Sequence, residues 1–312
     1  MLGAGGAVGG QTGGAGYLTV TNSASLATGG FASLGAYAGS TGSATISAAG
    51  AWSIGTGLAV GQSGSGTLSV SSASVTDGGS AAFGQTGSGT LTVNGGSFTA
   101  SGLLTLGLSA GGFGTATVSS GLINAAGGIQ VGASGTGLMT VASGGIVQIG
   151  TGSDAVGLSA GSNGTLLIQA GGTVASTQAP STLTILQIGQ SAASASQATA
   201  NGAVIVTGVG ARLDLNTHGL AVGQQGVEAL TVANGATVAA GLTDTSTAAL
   251  TGALGVGGNP QMTVTGAGSA LNLGGIANFG LRGTAVLSVT SGNVFAIGNA
   301  VVSAPRLQIG FG

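Results

Sequence analysis

The sequence has no cysteine and no lysine, and charged residues of either sign are scarce. The absence of cysteine excludes disulfide bonds and thiolate metal ligands, and it leaves the redox compartment undetermined. The charged residues are three arginines and five acidic residues, with one histidine besides, and the formal net charge is -2. Because a chain this poor in basic residues lacks the positive surface that binds nucleic acids, no nucleic-acid partner is expected.

Proline and long apolar runs are also scarce or missing. With three prolines, the chain is neither collagen-like nor a polyproline rod. No uninterrupted apolar segment is long enough to cross a membrane, so no transmembrane helix is predicted. The opening Met1-Leu2-Gly3 is followed by neither a basic segment nor a continuous apolar one, and no signal peptide is predicted.

Glycine is abundant, with 69 of 312 residues. The stretch 84–98 shows how it is used, and reads Gly-Gln-Thr-Gly-Ser-Gly-Thr-Leu-Thr-Val-Asn-Gly-Gly-Ser-Phe. Alternation of polar and apolar residues from Thr90 to Val93 predicts a strand. Asn94-Gly95 predicts a turn, because both residues tolerate positive φ. Apolar residues recur regularly among the glycines, which indicates a folded chain rather than a disordered one.

Three apolar markers of this stretch recur along the chain in a fixed order. The first is an apolar residue followed by glycine, at Val8, Leu34, Val60, Phe83, Leu106, Val131, Val156, Ile188, Val222, Val256, Phe279 and Ile309. The second ends each Thr-Leu-Thr-Val-like run, at Val20, Ile46, Val70, Val93, Val118, Val141, Ile168, Val206, Val232, Val264 and Val289. The third lies in the next short segment, at Leu26, Trp52, Val75, Phe98, Ile123, Val147, Val174, Leu213, Val238, Leu271 and Phe295.

A repeat of about 25 residues with three short strands and no helical periodicity predicts the coils of a parallel β-helix. We therefore predict an all-β, single-stranded parallel β-helix, or β-solenoid, of about eleven coils with three short strands per coil. It is expected to form one domain over residues 1–312, roughly 50–55 Å long at the usual strand spacing.

The second-marker strands should place alternate side chains inside and outside the solenoid. The pairs expected to face inward are Leu18/Val20, Leu68/Val70, Leu91/Val93, Leu230/Val232, Met262/Val264 and Leu287/Val289. The residues between them should form an outward ladder of hydroxyls, namely Thr19, Thr45, Ser69, Thr92, Thr117, Thr140, Thr231, Thr263 and Ser288. Leu167 and Ile205 place apolar side chains at the same outward position, and a small surface patch is predicted there.

Corners and insertions complete the predicted coil. Glycine supplies the positive φ that tight corners require, and Asn22, Asn94 and Asn234 are expected to do so at one corner in three coils. Unusually long coils predict insertion loops near residues 176–201, 241–252 and 299–305. Such loops are either tolerated surface decoration, which is the favoured interpretation, or a binding face.

The acidic residues do not form the cluster that a polysaccharide-cleaving β-helix would need. Asp77 and Asp154 lie three coils apart, which corresponds to about 14 Å and is too far for a carboxylate pair. Arg212, Asp214, His218 and Glu228 form one local group, for which a surface ion pair is expected rather than catalysis. The chain is therefore not expected to be an enzyme, and no catalytic residue, metal or cofactor is predicted. Trp52 is expected to pack rather than to stack on a sugar.

The repeat units resemble a known class of bacterial surface protein. Residues 60–70 read Val-Gly-Gln-Ser-Gly-Ser-Gly-Thr-Leu-Ser-Val, and residues 131–141 read Val-Gly-Ala-Ser-Gly-Thr-Gly-Leu-Met-Thr-Val. Over nearly the whole chain, such units resemble the glycine-rich β-strand repeats of bacterial autotransporter passengers and related surface adhesins. The resemblance implies a right-handed β-helix, secreted or at the bacterial cell surface, in adhesion, biofilm or fibre formation.

A secretion signal and a C-terminal membrane barrel belong to that pattern and are missing from this sequence. The chain is therefore expected to be a fragment, a processed passenger or a protein exported by another route. An outer-membrane barrel is an expected partner only if the chain is part of a longer precursor.

Both ends of the chain are assigned to the same phase of the repeat, through Val8-Gly9 and Ile309-Gly310. Because solenoid ends expose strand edges, we expect copies to stack end to end through Val8, Gly9, Ile309 and Gly310. The alternative to stacking is a chain cut from a longer solenoid.

The favoured function is a self-associating extracellular scaffold without a cofactor. The alternative is an adhesin that binds host or matrix glycans through its insertion loops, and a polysaccharide-acting enzyme is third.

Overall fold

The computed structural model describes residues 5–150, 152, 154–177, 185–189, 200–215, 219–223, 227–240, 250–252, 260–274, 277–278, 285–297 and 307–310. Within these residues all of the regular secondary structure is β-strand. The described residues therefore include no helix that could span a membrane. The strands form three parallel sheets that the chain visits in turn. The predicted all-β solenoid with three strands per coil is therefore confirmed.

The strands of each sheet follow one another along the solenoid axis. The first sheet contains eleven described strands: β1 (Gly5–Val8), β4 (Phe31–Leu34), β7 (Gly57–Val60), β10 (Ser80–Phe83), β13 (Leu104–Leu106), β16 (Ile129–Val131), β19 (Asp154–Val156), β22 (Ile185–Ile188), β25 (Gly219–Val222), β28 (Leu250–Gly252) and β31 (Ala277–Asn278). The second contains twelve: β2 (Ala15–Val20), β5 (Thr41–Ser47), β8 (Ser65–Ser71), β11 (Ser88–Asn94), β14 (Phe113–Ser119), β17 (Thr136–Ala142), β20 (Asn163–Ile168), β23 (Asn201–Thr207), β26 (Val227–Ala233), β29 (Gln261–Thr265), β32 (Ala285–Thr290) and β34 (Leu307–Gly310). The third contains eleven: β3 (Ser25–Thr28), β6 (Ala51–Ile54), β9 (Ser74–Asp77), β12 (Ser97–Ala100), β15 (Leu122–Ala125), β18 (Ile146–Ile149), β21 (Thr173–Ser176), β24 (Arg212–Asp214), β27 (Thr237–Ala240), β30 (Ala270–Gly274) and β33 (Asn293–Ile297).

Equivalent residues of neighbouring coils stack in register. Val93 of β11 lies opposite Val70 in the preceding coil and Val118 in the following one. The Thr-Leu-Thr-Val strand therefore pairs with its own copies, and not with the next strand of its own coil. The expected inward pairs are buried or packed against the core from Leu18/Val20 to Leu287/Val289. One coil cannot bury its own apolar face, so this stacking creates the core.

Aromatic side chains fill the centre of the middle coils. Phe83 and Phe98, from the first and third sheets, meet edge to face with ring centroids 5.8 Å apart and an interplanar angle of 75°. Both rings are fully buried. Trp52 is also buried, and its Nε1 donates a hydrogen bond of 3.0 Å to Thr28 Oγ1. The expected packing role of Trp52 is therefore confirmed.

The corner between the second and third sheets uses positive φ, as expected, but not always at the expected residue. Asn22 and Asn234 have φ values of 55° and 57°. Asn94, in contrast, is the last residue of β11, and Gly95 takes the positive φ of 68°. The prediction for Asn94 was wrong because an Asn-Gly pair offers two residues that tolerate this conformation, and glycine adopts it at lower steric cost.

The repeat markers of the last coils need three corrections. Ile309 of β34 lies opposite Leu287 in the second sheet, so it does not share the phase of Val8 in the first sheet. In β33, Val294 rather than Phe295 lies opposite Leu271 and packs against the core. These assignments were wrong because an alternating apolar segment fits either sheet or either register, and only the pairing distinguishes them.

The third correction concerns the first sheet. There, Gly252 of β28 lies opposite Val222, where the repeat had placed Val256. Val256 and Phe279 themselves lie outside the described residues.

Strands also occur inside the predicted insertions. The segment 176–201 contains β22, which divides it into two parts, and 241–252 ends in β28. The remaining residues of both segments lie largely outside the described ranges, as does all of 299–305. The loop predictions for those residues stay predictions.

Candidate functional site

The outer side of the second sheet carries the most regular polar surface of the described chain. In β5, β8, β11 and β14 the exposed or half-exposed residues alternate with buried ones. We call these outward side chains the hydroxyl face, which comprises Thr41, Ser43, Thr45, Ser47, Ser65, Thr67, Ser69, Ser71, Ser88, Thr90, Thr92, Asn94, Phe113, Thr115, Thr117 and Ser119. Serine or threonine occupies every position of this face except Asn94 and Phe113.

Stacking in register arranges the hydroxyl face in columns parallel to the solenoid axis. One column runs through Thr45, Ser69, Thr92 and Thr117 and confirms this part of the predicted ladder. A second column runs through Ser43, Thr67, Thr90 and Thr115, and was not predicted. The residue two positions earlier on the same strand would have indicated it, because outward positions recur with a period of two.

Few of these hydroxyls are used within the protein. Thr115 Oγ1 donates to Thr90 Oγ1 at 3.2 Å, and Ser47 Oγ donates to Thr21 Oγ1 at 3.3 Å. The other serine and threonine hydroxyls of the face make no side-chain hydrogen bond with the described part of the chain. Each can donate one hydrogen bond and accept two, so the face offers an ordered set of free donors and acceptors.

Beyond the hydroxyl face, the same sheet becomes more apolar. Leu167 lies directly opposite Ile205, and both face outward with partial exposure, as the sequence predicted. Thr140 lies opposite Leu167 in the preceding coil, and Thr231 lies opposite Ile205 in the following coil. The patch is therefore two residues wide along the axis, between two threonines.

Exposed aromatic residues lie on the hydroxyl face and beside it, and sequence reasoning missed them as candidates. Tyr17 is 83% exposed and lies opposite Ser43, and Phe113 is 45% exposed and lies opposite Ser88. Tyr37, which is 53% exposed, lies in the corner between β4 and β5. The repeat phase would have identified Tyr17, since it stands two positions before the outward Thr19.

Two aspartates are buried beside the corner between the third and first sheets. Asp77 ends β9, and one of its oxygens accepts a hydrogen bond of 3.0 Å from the Gly79 amide. Asp154 begins β19, and its Oδ1 accepts a hydrogen bond of 2.8 Å from the Ile129 amide. Burial raises the pKa of both carboxyls, that of Asp154 to about 7, although these amide bonds oppose the change. The strand order keeps the two groups three coils apart, so they form no catalytic pair.

The predicted group around Arg212 is only partly assembled. Arg212 Nη2 lies 3.0 Å from Asp214 Oδ2 on the outside of β24, which confirms the expected surface ion pair. Glu228 belongs to β26 in another sheet and is buried beside Gly189 and Gly223, so its assignment to this group was wrong. Its position lies opposite Gly202. His218 lies outside the described residues.

Among the described residues, no three His, Cys, Asp or Glu side chains come together in a way that could hold a metal ion.

The residues predicted for end-to-end association lie in or directly after outer strands of two different sheets. Val8 ends β1, Gly9 follows it with a φ of 73°, and Ile309 and Gly310 belong to β34. Association through these residues stays a prediction.

Comparison with known proteins reveals little similarity in sequence. No family model matches the chain, and no curated protein matches it. The crystal structure of a TibA fragment, hyper-glycosylated in a reaction catalysed by TibC, is similar over 96% of this chain and 99% of that chain, with 19% sequence identity and a TM-score of 0.22. A likeness this weak carries no functional argument.

Proposed function

We propose that the chain is the scaffold of an adhesin-like surface protein, secreted or held at the bacterial cell surface. The observation that carries the proposal is the in-register stacking of one glycine-rich unit, which turns each outer face into rows of equivalent positions. Rows of equivalent sites favour attachment to repetitive surfaces, because several weak contacts combine into strong binding. The resemblance of the repeats to autotransporter passengers supports the same function.

Adhesion is tested by displaying the chain on a bacterium that does not adhere by itself. Cells carrying the chain on a membrane anchor should be retained under flow on immobilised matrix polysaccharide, and cells carrying the anchor alone should be washed away. Equal retention of the two populations would contradict the proposal.

Filament formation by end-to-end stacking is the finer part of this proposal. Among the described strands, β1 hydrogen-bonds to β4 alone, and β34 to β32 alone. A strand edge of this kind can accept a strand from a second chain. Sedimentation should then reveal species that grow with protein concentration, and electron microscopy should reveal rods of variable length. A monomer at every concentration would contradict filament formation and leave the adhesive function standing.

A further inference from the structure

The hydroxyl face has a regularity that the scaffold alone does not require. Any polar side chain at these outward positions would keep the strands soluble, and charged residues would also discourage unwanted association. Instead, the face repeats serine and threonine in columns and contains no charged residue. A regular surface of this kind fits a ligand that is itself regular.

The repeat of the face limits the shape of such a ligand. Neighbouring strands of a sheet lie about 4.8 Å apart, and outward residues on one strand lie about 6.6 Å apart. The shorter distance is close to the length of one pyranose residue in an extended β-linked polysaccharide. A sugar chain laid along the axis would therefore meet an equivalent pair of hydroxyls, such as Ser65 and Thr67 or Ser88 and Thr90, at each residue.

The aromatic residues indicate where sugar rings would stack. Tyr17 on β2 and Phe113 on β14 are exposed on the same side of the same sheet. Four strand spacings separate these two strands, which corresponds to about 19 Å along the axis. Tyr17 lies in the column of Ser43, Thr67 and Thr90, and Phe113 lies in the neighbouring column of Ser65 and Ser88, about 6.6 Å away across the sheet. Exposed aromatic rings offer flat apolar surfaces against which the C–H face of a sugar ring can pack, and such residues often dominate binding.

Charge determines which class of polysaccharide fits. The described charged residues are either buried, as are Asp77, Asp154 and Glu228, or lie on the third sheet, as do Arg212 and Asp214. Binding of sulfated or uronic-acid chains, or of nucleic acid, relies on arginine or lysine contacts that this face lacks. The face is therefore complementary to an uncharged ligand.

We propose that the hydroxyl face binds an uncharged, extended β-linked polysaccharide that runs close to the solenoid axis over the two neighbouring columns of Tyr17 and Phe113, with one sugar residue per coil and rings stacked on these two side chains. The inference rests on the proposed adhesive function and names its ligand class. It also places binding on a sheet face, where sequence reasoning had considered the insertion loops.

The experiment measures binding of the whole chain to β-1,4-linked glucose oligomers of increasing length by calorimetry, and to cellulose by co-sedimentation. Affinity should rise with oligomer length until the chain reaches from Tyr17 to Phe113, because the second ring then binds without a further loss of translational freedom. An uronic-acid polymer should bind more weakly than the neutral polymer. Equal or stronger binding of the charged polymer would overturn the proposal.

Two sets of variants test the face itself. Replacing both Tyr17 and Phe113 with alanine should weaken binding by about tenfold or more. The combined Thr67→Val and Thr90→Val, which removes hydroxyls and keeps β-branched shapes, should also weaken it. The matched control is Thr76→Val with Thr99→Val, outward threonines on the third sheet. All variants should melt within a few degrees of the unchanged protein.

Failure of this inference is distinguishable from failure of the adhesive function. If the folded face variants bind the neutral polymer as well as the control does, or if no neutral polymer binds at all, the inference is wrong. Cells displaying the chain could then still be retained on other matrix components, which would leave the proposed function standing.

Discussion

At the scale of single residues, the most informative side chains are the buried aspartates. Asp154 replaces an apolar residue at an inward position of the first sheet, opposite Leu186 in the next coil. Alternation alone would also have placed Asp77 inward, two residues after Val75. Burying a carboxyl is costly when it is charged, so such a group holds its proton.

The pKa of Asp154 predicts how stability depends on pH. Burial raises this pKa from 3.8 to about 7, against the opposing hydrogen bond from Ile129. The folded chain therefore keeps a proton that the unfolded chain loses above pH 3.8, and folding is most favoured below that pH. Stability should fall as pH rises toward 7, by at most about 4 kcal/mol for this group, and level off above it.

Urea unfolding between pH 4 and pH 8 checks this prediction. Asp154→Asn should remove most of the decrease, because asparagine keeps the shape and an oxygen for the Ile129 amide. The double variant with Asp77→Asn should be flatter still, since burial raises that pKa in the same direction. An unchanged decrease in the double variant would show that other groups cause it.

Glycine positions in the strand and in the corner should differ in their tolerance of a methyl group. A Cβ added at Gly89 would overlap the backbone oxygen of Val60 and the backbone nitrogen of Gly84. Gly89→Ala should therefore lower stability by about 3 kcal/mol or more, or prevent folding, because backbone atoms cannot move aside cheaply. Thermal unfolding followed by circular dichroism measures the effect.

The matched variant is Gly144→Ala at a corner. Gly144 has a φ of 80°, and a methyl group added there would meet open space, so only the backbone preference opposes alanine. Ala48 and Ala49 adopt positive φ values of 49° and 62° at the same type of corner between β5 and β6, so residues with a Cβ are accepted there. The cost should therefore be only about 1 kcal/mol. Equal costs at Gly89 and Gly144 would contradict the close approach of the backbone at Gly89.

At the scale of strands, packing inside the coil should dominate over the outward side chains. Phe98 is fully buried against Phe83, and its neighbour Thr99 faces outward on the same strand. Phe98→Ala should cost about 3–5 kcal/mol, because a cavity remains between the sheets. Thr99→Ala should cost less than about 1 kcal/mol. Unfolding midpoints in urea compare the two variants, and similar losses would place Phe98 outside the core.

The strands also show how far the sequence alone predicts this fold. In β11 the alternation around Thr92 was sufficient, since Leu91 and Val93 must share one face and the repeat supplies their partners. In β34 the same kind of pattern was misleading, because Ile309 followed by Gly310 fits the first sheet as well as the second. Tyr17 is not predicted for a different reason: it lies opposite Ser43, in the column beside the ladder that contains Thr19 and Thr45.

At the scale of the whole molecule, coils are interchangeable where their strands share one register. β5 pairs with β8, and β8 pairs with β11, with glycine opposite glycine and valine opposite isoleucine or valine. A solenoid of this kind is held together by contacts between neighbouring coils. The removal of one complete coil should therefore leave a new joint that resembles the old ones.

Deleting residues 65–87 joins Gly64 to Ser88 and brings β11 opposite β5, with Leu91 opposite Ala44 and Val93 opposite Ile46. We expect the variant to keep its β-sheet circular dichroism and a cooperative melt, and small-angle X-ray scattering should show a rod shorter by about 4.8 Å. Deleting only residues 65–76 is the control. It removes only half a coil, so each later strand would no longer lie in its own sheet, and cooperative melting should be abolished. If the complete-coil deletion unfolds as fully as the half-coil deletion, this coil contains a contact that its neighbours cannot replace.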